Sequence, residues 1–96
     1  MLTEVETERW QELLRVPAMS AGLYVLPAGG VDTQQPHGED EVYVVLAGAA
    51  TLEVEGERHA AVPGALLFVA AGADHRFVEI TEDLRVLVVF APAETA

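Results

Sequence analysis

The sequence predicts an all-β domain, an antiparallel sandwich or barrel. From Ser20 onward the chain consists of short extended runs rich in valine, leucine and aromatic residues, separated by glycine and proline. Many short strands joined by tight turns are typical of such folds. The only convincing helix signal covers residues 3–16 and precedes these runs.

The predicted N-terminal helix is short. Thr3 followed by Glu6 fits a capping box, and Pro17 marks the end of the helix. We expect the helix to pack over the outside or the end of the β-domain. Its apolar face would consist of Val5, Trp10, Leu13 and Leu14.

The extended runs follow one another with clear turn signals between them. In chain order they are AGLYVL, EVYVVLA, ATLEVE, ERHAAV, ALLFVAA, HRFVEI and LRVLVVFA. Gly48 ends the second run, Glu55-Gly56 forms a turn, and Pro63-Gly64 fits the central positions of a type II turn. A chain of 96 residues is large enough for one core. We therefore expect a single domain over residues 1–96, with the barrel over about 19–91.

The charge of the chain argues against a nucleic-acid partner. The formal net charge is −11, and the cations are five scattered arginines with no lysine. Binding to phosphates needs clustered cations, which this sequence lacks. The chain has no cysteine, which excludes disulfides and thiolate metal sites.

The apolar content of the chain suggests that the protein associates with a second copy of itself. Hydrophobic residues make up 51% of the sequence, a high share for so small a domain, so we expect a homodimer that covers apolar surface. No apolar run is long enough to span a bilayer, so we expect no membrane association. The acidic start MLTEVETERW does not resemble a secretory signal, and we expect a cytoplasmic protein.

Two glycine-bounded motifs are the most informative feature of the sequence. The first is Gly29-x5-Gln35-x-His37-x3-Glu41-x6-Gly48, and the second is Gly64-x5-Ala70-x-Gly72-x2-His75-x3-Glu79. From about residue 23 to 90 this spacing resembles the cupin superfamily, whose motifs are G-x5-H-x-H-x3-4-E-x6-G and G-x5-P-x-G-x2-H-x3-N. The resemblance implies a small jelly-roll barrel, also called a double-stranded β-helix. Gln35 stands where the first histidine is usual, Glu79 where the asparagine is, and Ala70 where the proline is.

The motifs together predict a metal site. Residues two apart on a strand share a face, so Gln35 points with His37, while Tyr43 and Val45 point with Glu41. If these sets and the set of His75, Phe77 and Glu79 all face inward, His37, Glu41 and His75 form a metal-binding triad. Tyr43, Val45 and Phe77 would line the cavity. Such a donor set suits one divalent transition metal, Fe, Mn, Ni or Zn.

Two positions of the motifs leave alternatives open. Gln35 can be a fourth, neutral ligand of the metal, or it can form a hydrogen bond close by. Glu79 can face inward as a general acid or base beside the metal, or it can lie at the rim as a solvated carboxylate. In the acidic run of residues 39–41, only Glu41 is expected to turn inward.

Two classes of function fit this sequence. The first is an enzyme whose metal acts on a small oxygenated metabolite, as a dioxygenase or an isomerase does. The second is a non-catalytic module that binds or senses a small molecule. The fold alone does not decide between them.

Overall fold

The computed structural model describes residues 9–33 and 36–95. Six strands account for most of these residues, and they alternate with short turns. The strands are β1 (Trp10–Val16), β2 (Met19–Leu26), β3 (Asp40–Val54), β4 (Glu57–Ala61), β5 (Leu66–Val69) and β6 (His75–Ala91). The predicted all-β class is therefore confirmed.

The strands pair antiparallel in the order β1-β2-β6-β3-β4, and β5 pairs with β3. The two long strands β3 and β6 form the spine of the fold. Their ladder runs from Asp40 opposite Ala91 to Val54 opposite His75. Because the other strands flank different stretches of this ladder, the long strands fold over an interior and form the jelly roll.

Bends in the long strands explain why the sequence suggested more strands than exist. The runs EVYVVLA and ATLEVE both belong to β3, which continues through Gly48 at a φ of +96°. The position of a Cβ atom on Gly48 would lie 2.2 Å from the carbonyl oxygen of Asp83. Glycine therefore bends the strand where β6 passes too close for a side chain. HRFVEI and LRVLVVFA likewise belong to β6, which bends at Glu79 with a φ of +53°.

The predicted helix over residues 3–16 is wrong from Trp10 onward, because residues 10–16 form strand β1. The ladder with β2 shifts register between Glu12 and Leu14, and this bulge disturbs the period of two that would have signalled a strand. The aromatic ring of Trp10 lies over Gly22, where any Cβ atom would meet the ring at 2.4 Å. Residues 3–8 lie outside the described part of the chain.

The core lies on the inner face of the folded sheet. Glu41, Tyr43 and Val45 are buried in alternation along the first half of β3, as the period of two predicts. The turn predicted at Pro63-Gly64 is present, with Gly64 at a φ of +90° and a hydrogen bond of 2.9 Å from Ala65 N to Val62 O. Among the described residues, no helix has the length and apolar character needed to cross a membrane.

Candidate metal site

A buried histidine–glutamate pair forms the centre of the site. Nε2 of His75 lies 3.2 Å from Oε2 of Glu41, and their side chains are 0% and 1% exposed. The two residues come from distant parts of the β3–β6 ladder, where Glu41 pairs with Phe90 and His75 pairs with Val54. Closure of the barrel brings them together.

The pair contains polar atoms whose hydrogen-bonding capacity is unused. Both carboxylate oxygens of Glu41 and Nε2 of His75 are buried without a hydrogen bond of normal geometry in the described structure, although the two residues lie close together. Nδ1 of His75 lies 2.8 Å from the carbonyl oxygen of Ala73. A carbonyl oxygen can only accept, so Nδ1 carries the hydrogen. In a neutral ring, this leaves the Nε2 lone pair facing Glu41.

The electrostatics of this pair favour a bound cation. Burial by itself lowers the pKa of His75, but Glu41 and the carbonyl of Ala73 outweigh this effect and raise that pKa above its ordinary value. A positive charge at Nε2 is thus stabilised by the surroundings. A proton or a metal ion can provide that charge.

His37 joins the pair at a less buried position, with its side chain 23% exposed. Its ring lies 5.1 Å from that of Phe90 and 6.0 Å from that of His75, centre to centre, and its carbonyl oxygen accepts a hydrogen bond from Gly72 N at 2.7 Å. One ligand atom each from His37, Glu41 and His75 lies within 4.8 Å of the other two. The structure therefore brings together the triad predicted from the sequence.

The predicted fourth ligand, Gln35, lies outside the described residues. The three predicted cavity-lining residues are all in the interior. Tyr43, Val45 and Phe77 are at most 2% exposed, and the rings of Tyr43 and Phe77 lie 5.0 Å apart. The Tyr43 ring is also 6.2 Å from that of His75, so it forms an apolar wall next to the pair.

Of the two alternatives for Glu79, the structure shows the solvent-facing one. Its side chain is 59% exposed, and its Oε2 lies 3.0 Å from Nη1 of Arg58. The positive φ of Glu79 resets the alternation along β6, so that Phe77 and Ile80 face the core instead of Phe77 and Glu79. Glu79 is therefore the solvated carboxylate of the second alternative.

Two acidic residues near the site were not recognised from the sequence. Glu39, expected in a solvated face, is 5% exposed, and its Oε2 accepts a hydrogen bond from Thr95 Oγ1 at 2.7 Å. Glu94 has its Oε2 3.6 Å from Nδ1 of His37. Burial raises the pKa of Glu94; His37 opposes this effect, and Glu39 adds to it. Glu39 was assigned to a solvated acidic run, and no motif marked Glu94, because the C-terminal tail PAETA has no strand or turn pattern.

Asp32 is a third residue that sequence reasoning missed. It is 6% exposed, and its two carboxylate oxygens accept hydrogen bonds from Tyr24 Oη at 2.7 Å and from Phe77 N at 2.8 Å. Burial and the charge of Asp32 raise the pKa of Tyr24, which keeps the phenol protonated as a donor. Asp32 thereby connects Tyr24 on β2 with Phe77 on β6.

An open pocket of about 440 Å³ has His75 among its lining residues, although the His75 side chain itself is 0% exposed. Its wall is mostly polar and combines acidic, hydroxyl and cationic groups. The polar residues that line it beside His75 are Asp32, Thr33, Asp74 and Arg76. The pocket therefore lies next to one residue of the triad, and His37 and Glu41 are not among its lining residues.

Comparisons with known proteins agree with this geometry. Residues 22–90 match the family described as Cupin domain. An uncharacterised protein of Streptomyces coelicolor is 46% identical over 98% of this chain and 95% of its own length. TT1209 from Thermus thermophilus is 31% identical, with a TM-score of 0.75 over 90% of this chain and 86% of its own. KdgF from a Halomonas species is 26% identical, with a TM-score of 0.78 over 86% of this chain and 76% of its own.

Proposed function

This chain belongs to the cupin domain family, and we propose that within it the protein binds one divalent transition metal through His37, Glu41 and His75. Two imidazoles and one carboxylate suit Fe, Mn, Ni or Zn. The metal site would serve a small oxygenated metabolite, which the protein converts in the manner of a dioxygenase or an isomerase.

The buried Glu41–His75 pair is the observation that carries this proposal. A proton on Nε2 of His75 could satisfy one oxygen of Glu41 but would leave the other without a partner. A metal ion between the three side chains would use Nε2 and the carboxylate together. The bond from Nδ1 to the Ala73 carbonyl supports this reading, because ligating histidines are commonly oriented by such a contact.

A polar pocket next to the triad could hold a small substrate. A bound metal would supply polarisation of a carbonyl or hydroxyl group, or activation of dioxygen. The pocket beside His75 carries Thr33 and Arg76, which can donate hydrogen bonds to oxygen atoms of a small molecule. Tyr43 and Phe77 keep the inner side of the site apolar.

A second candidate is a non-catalytic module that binds or senses a small molecule. The orientation of Glu79 favours it, because the one carboxylate proposed as a general acid or base faces solvent and contacts Arg58. In this candidate the pocket and metal would hold a ligand without turning it over.

Elemental analysis of protein purified without chelators tests the metal site. We expect near-stoichiometric Fe, Mn, Ni or Zn, and we expect that metal to be lost in His37→Ala. His59→Ala is a matched control, because His59 lies on the outer strand β4 and is exposed. Protein that stays metal-free after each of the four metals is offered would contradict the proposal.

Turnover and binding separate the two candidates. The metal-loaded protein is incubated with a panel of small hydroxy acids, keto acids and enols, and both product formation and calorimetric binding are measured. Product that disappears in His75→Ala identifies an enzyme. Saturable binding without product over many hours identifies the module.

We also propose a second copy of this chain as a partner. Val42 on β3 lies opposite Phe68 on β5 and Val89 on β6, and Val89 lies opposite Ala21 on β2. A parallel row contains Leu66, Val44, Leu87 and Leu23. Leu66 and Phe68 are 71% and 63% exposed, so the outer face of the sheet presents contiguous apolar side chains. An exposed apolar face of this kind suits a twofold dimer.

Sedimentation velocity tests the dimer. The wild-type protein is expected to sediment as a dimer at micromolar concentration, and the double variant Leu66→Asp, Phe68→Asp as a monomer. Val31→Asp is the control, because Val31 is 69% exposed but belongs to none of the strands that form this face. A monomeric wild type, or a dimer that survives the double variant, would overturn this proposal.

A further inference from the structure

The C-terminal segment is fixed across the site by contacts at several points. The backbone N of Glu94 donates to Oγ of buried Ser20 at 2.9 Å, and its carbonyl oxygen accepts from Nη2 of Arg15 at 2.9 Å. Next along the chain, Thr95 donates to Glu39 through both its backbone N, at 3.3 Å, and its hydroxyl, at 2.7 Å. These contacts anchor the backbone on both sides of the Glu94 side chain.

The anchored side chain of Glu94 faces His37. Its Oε2 lies 3.6 Å from Nδ1 of His37, with the two side chains 19% and 23% exposed. His75 has a similar but closer contact, since its Nδ1 lies 2.8 Å from the carbonyl oxygen of Ala73. Both histidines of the triad therefore have an oxygen next to Nδ1. For His75, this leaves Nε2 facing Glu41.

We propose that Glu94 is a positioning residue for His37. Its carboxylate accepts a hydrogen bond from Nδ1–H of His37 and so directs the Nε2 lone pair toward the point shared with Glu41 and His75. This inference rests on the proposed metal function. Glu94 is not one of the residues whose ligand atoms converge within 4.8 Å, so it acts through His37.

The observed distance fits this role with a small adjustment. At 3.6 Å the two atoms are just beyond direct hydrogen-bond range, so a modest side-chain rotation completes the link. A carboxylate in this position fixes the tautomer of the ring and makes Nε2 a stronger donor to a metal. Loss of such a partner typically weakens metal affinity by about 10- to 100-fold.

Substitution of Glu94 tests the proposal cleanly because the anchoring contacts of this residue use its backbone atoms. Glu94→Ala removes the carboxylate and retains the bonds to Ser20 and Arg15. Glu94→Gln keeps an oxygen that can accept the Nδ1 hydrogen. The matched control is Glu57→Gln, which makes the same change at an exposed pair where Oε1 lies 3.8 Å from Nε2 of His59.

The first measurement is the affinity for Zn²⁺, determined by competition with a chromogenic chelator. Relative to wild type, we expect about a 10- to 100-fold loss for Glu94→Ala, a smaller loss for Glu94→Gln, and no change for Glu57→Gln. Thermal unfolding of each metal-free variant establishes that the fold is retained.

The second measurement is the tautomer of His37 in the metal-free protein, read from ¹H–¹⁵N correlations of the imidazole nitrogens. Wild type is expected to carry the hydrogen on Nδ1, and Glu94→Ala to shift it partly to Nε2. If the wild-type protein binds no Zn²⁺, the proposed metal function is wrong. The tautomer measurement still tests whether Glu94 positions the His37 ring. Unchanged affinity together with an unchanged tautomer in Glu94→Ala overturns the inference, and so does a loss in Glu94→Gln as large as in Glu94→Ala.

Discussion

The two sequence motifs each carry a glutamate, and the structure gives these carboxylates opposite environments. Glu41 is 1% exposed and lies 3.2 Å from Nε2 of His75. Glu79 is 59% exposed and lies 3.0 Å from Arg58. Strand alternation, if it continued unbroken along both strands, would turn both side chains inward. Only Glu41 faces inward, so the backbone conformation between the motif residues determines which way each side chain points.

The difference arises from the two strands. From Glu41 to Val45, β3 is regular, and every second side chain is buried. In β6 the same pattern holds for His75 and Phe77, and then the left-handed residue Glu79 shifts it by one position. Spacing in a sequence identifies which residues belong to a motif. It does not reveal where a strand bends, and a single bend reverses the faces.

Replacing each glutamate by glutamine gives the largest expected contrast. Glu41→Gln removes the negative charge of the triad, and we expect metal affinity to fall by more than about 100-fold, beyond the usual effect of losing a residue that only orients a ligand. Glu79→Gln changes an exposed surface contact, and we expect metal affinity to stay within about twofold. Chelator competition measures both. Similar losses in the two variants would show that Glu79 acts at the site.

The bend in β3 provides the next contrast. In Gly48→Ala the new methyl group meets the backbone of Asp83 and the φ of +96° is strained, so we expect the free energy of unfolding to fall by about 2 to 4 kcal/mol. Gly56→Ala is the control, because its φ is +84° but no atom lies within 4 Å of the added Cβ. For Gly56→Ala we expect the free energy of unfolding to fall by about 1 kcal/mol. Urea denaturation measures both, and equal losses would mean that crowding at the bend is unimportant.

The sequence predicted the strand content, the turn at Pro63-Gly64 and the triad, because these depend on local patterns and family spacing. It failed at Trp10–Val16, where a bulge and exposed Leu13 and Leu14 imitate the apolar spacing of a helix. It also missed Glu94. The contact of that residue with His37 joins positions 57 apart and is created by the anchoring of the tail, which no local pattern records.

Restoring the usual histidine tests the departure in the first motif. Imidazole is a stronger ligand than a neutral amide, so Gln35→His is expected to tighten metal binding by about tenfold if position 35 belongs to the coordination shell. Gln34→His is the neighbouring control, since it places the same group one residue away. An unchanged affinity in Gln35→His would place residue 35 outside the shell.

Restoring the usual asparagine tests the departure in the second motif and has the smallest expected effect. Residue 79 adopts a φ of +53°, and asparagine enters this left-handed region more readily than glutamate. We therefore expect Glu79→Asn to raise the free energy of unfolding by up to about 0.5 kcal/mol, with metal affinity unchanged. Arg58→Ala removes the partner of Glu79 without altering the bend at residue 79. It therefore separates the effect of losing the ion pair from the effect of relieving backbone strain. A change in metal affinity in Glu79→Asn would instead mean that this bend and the distant triad are coupled through β6.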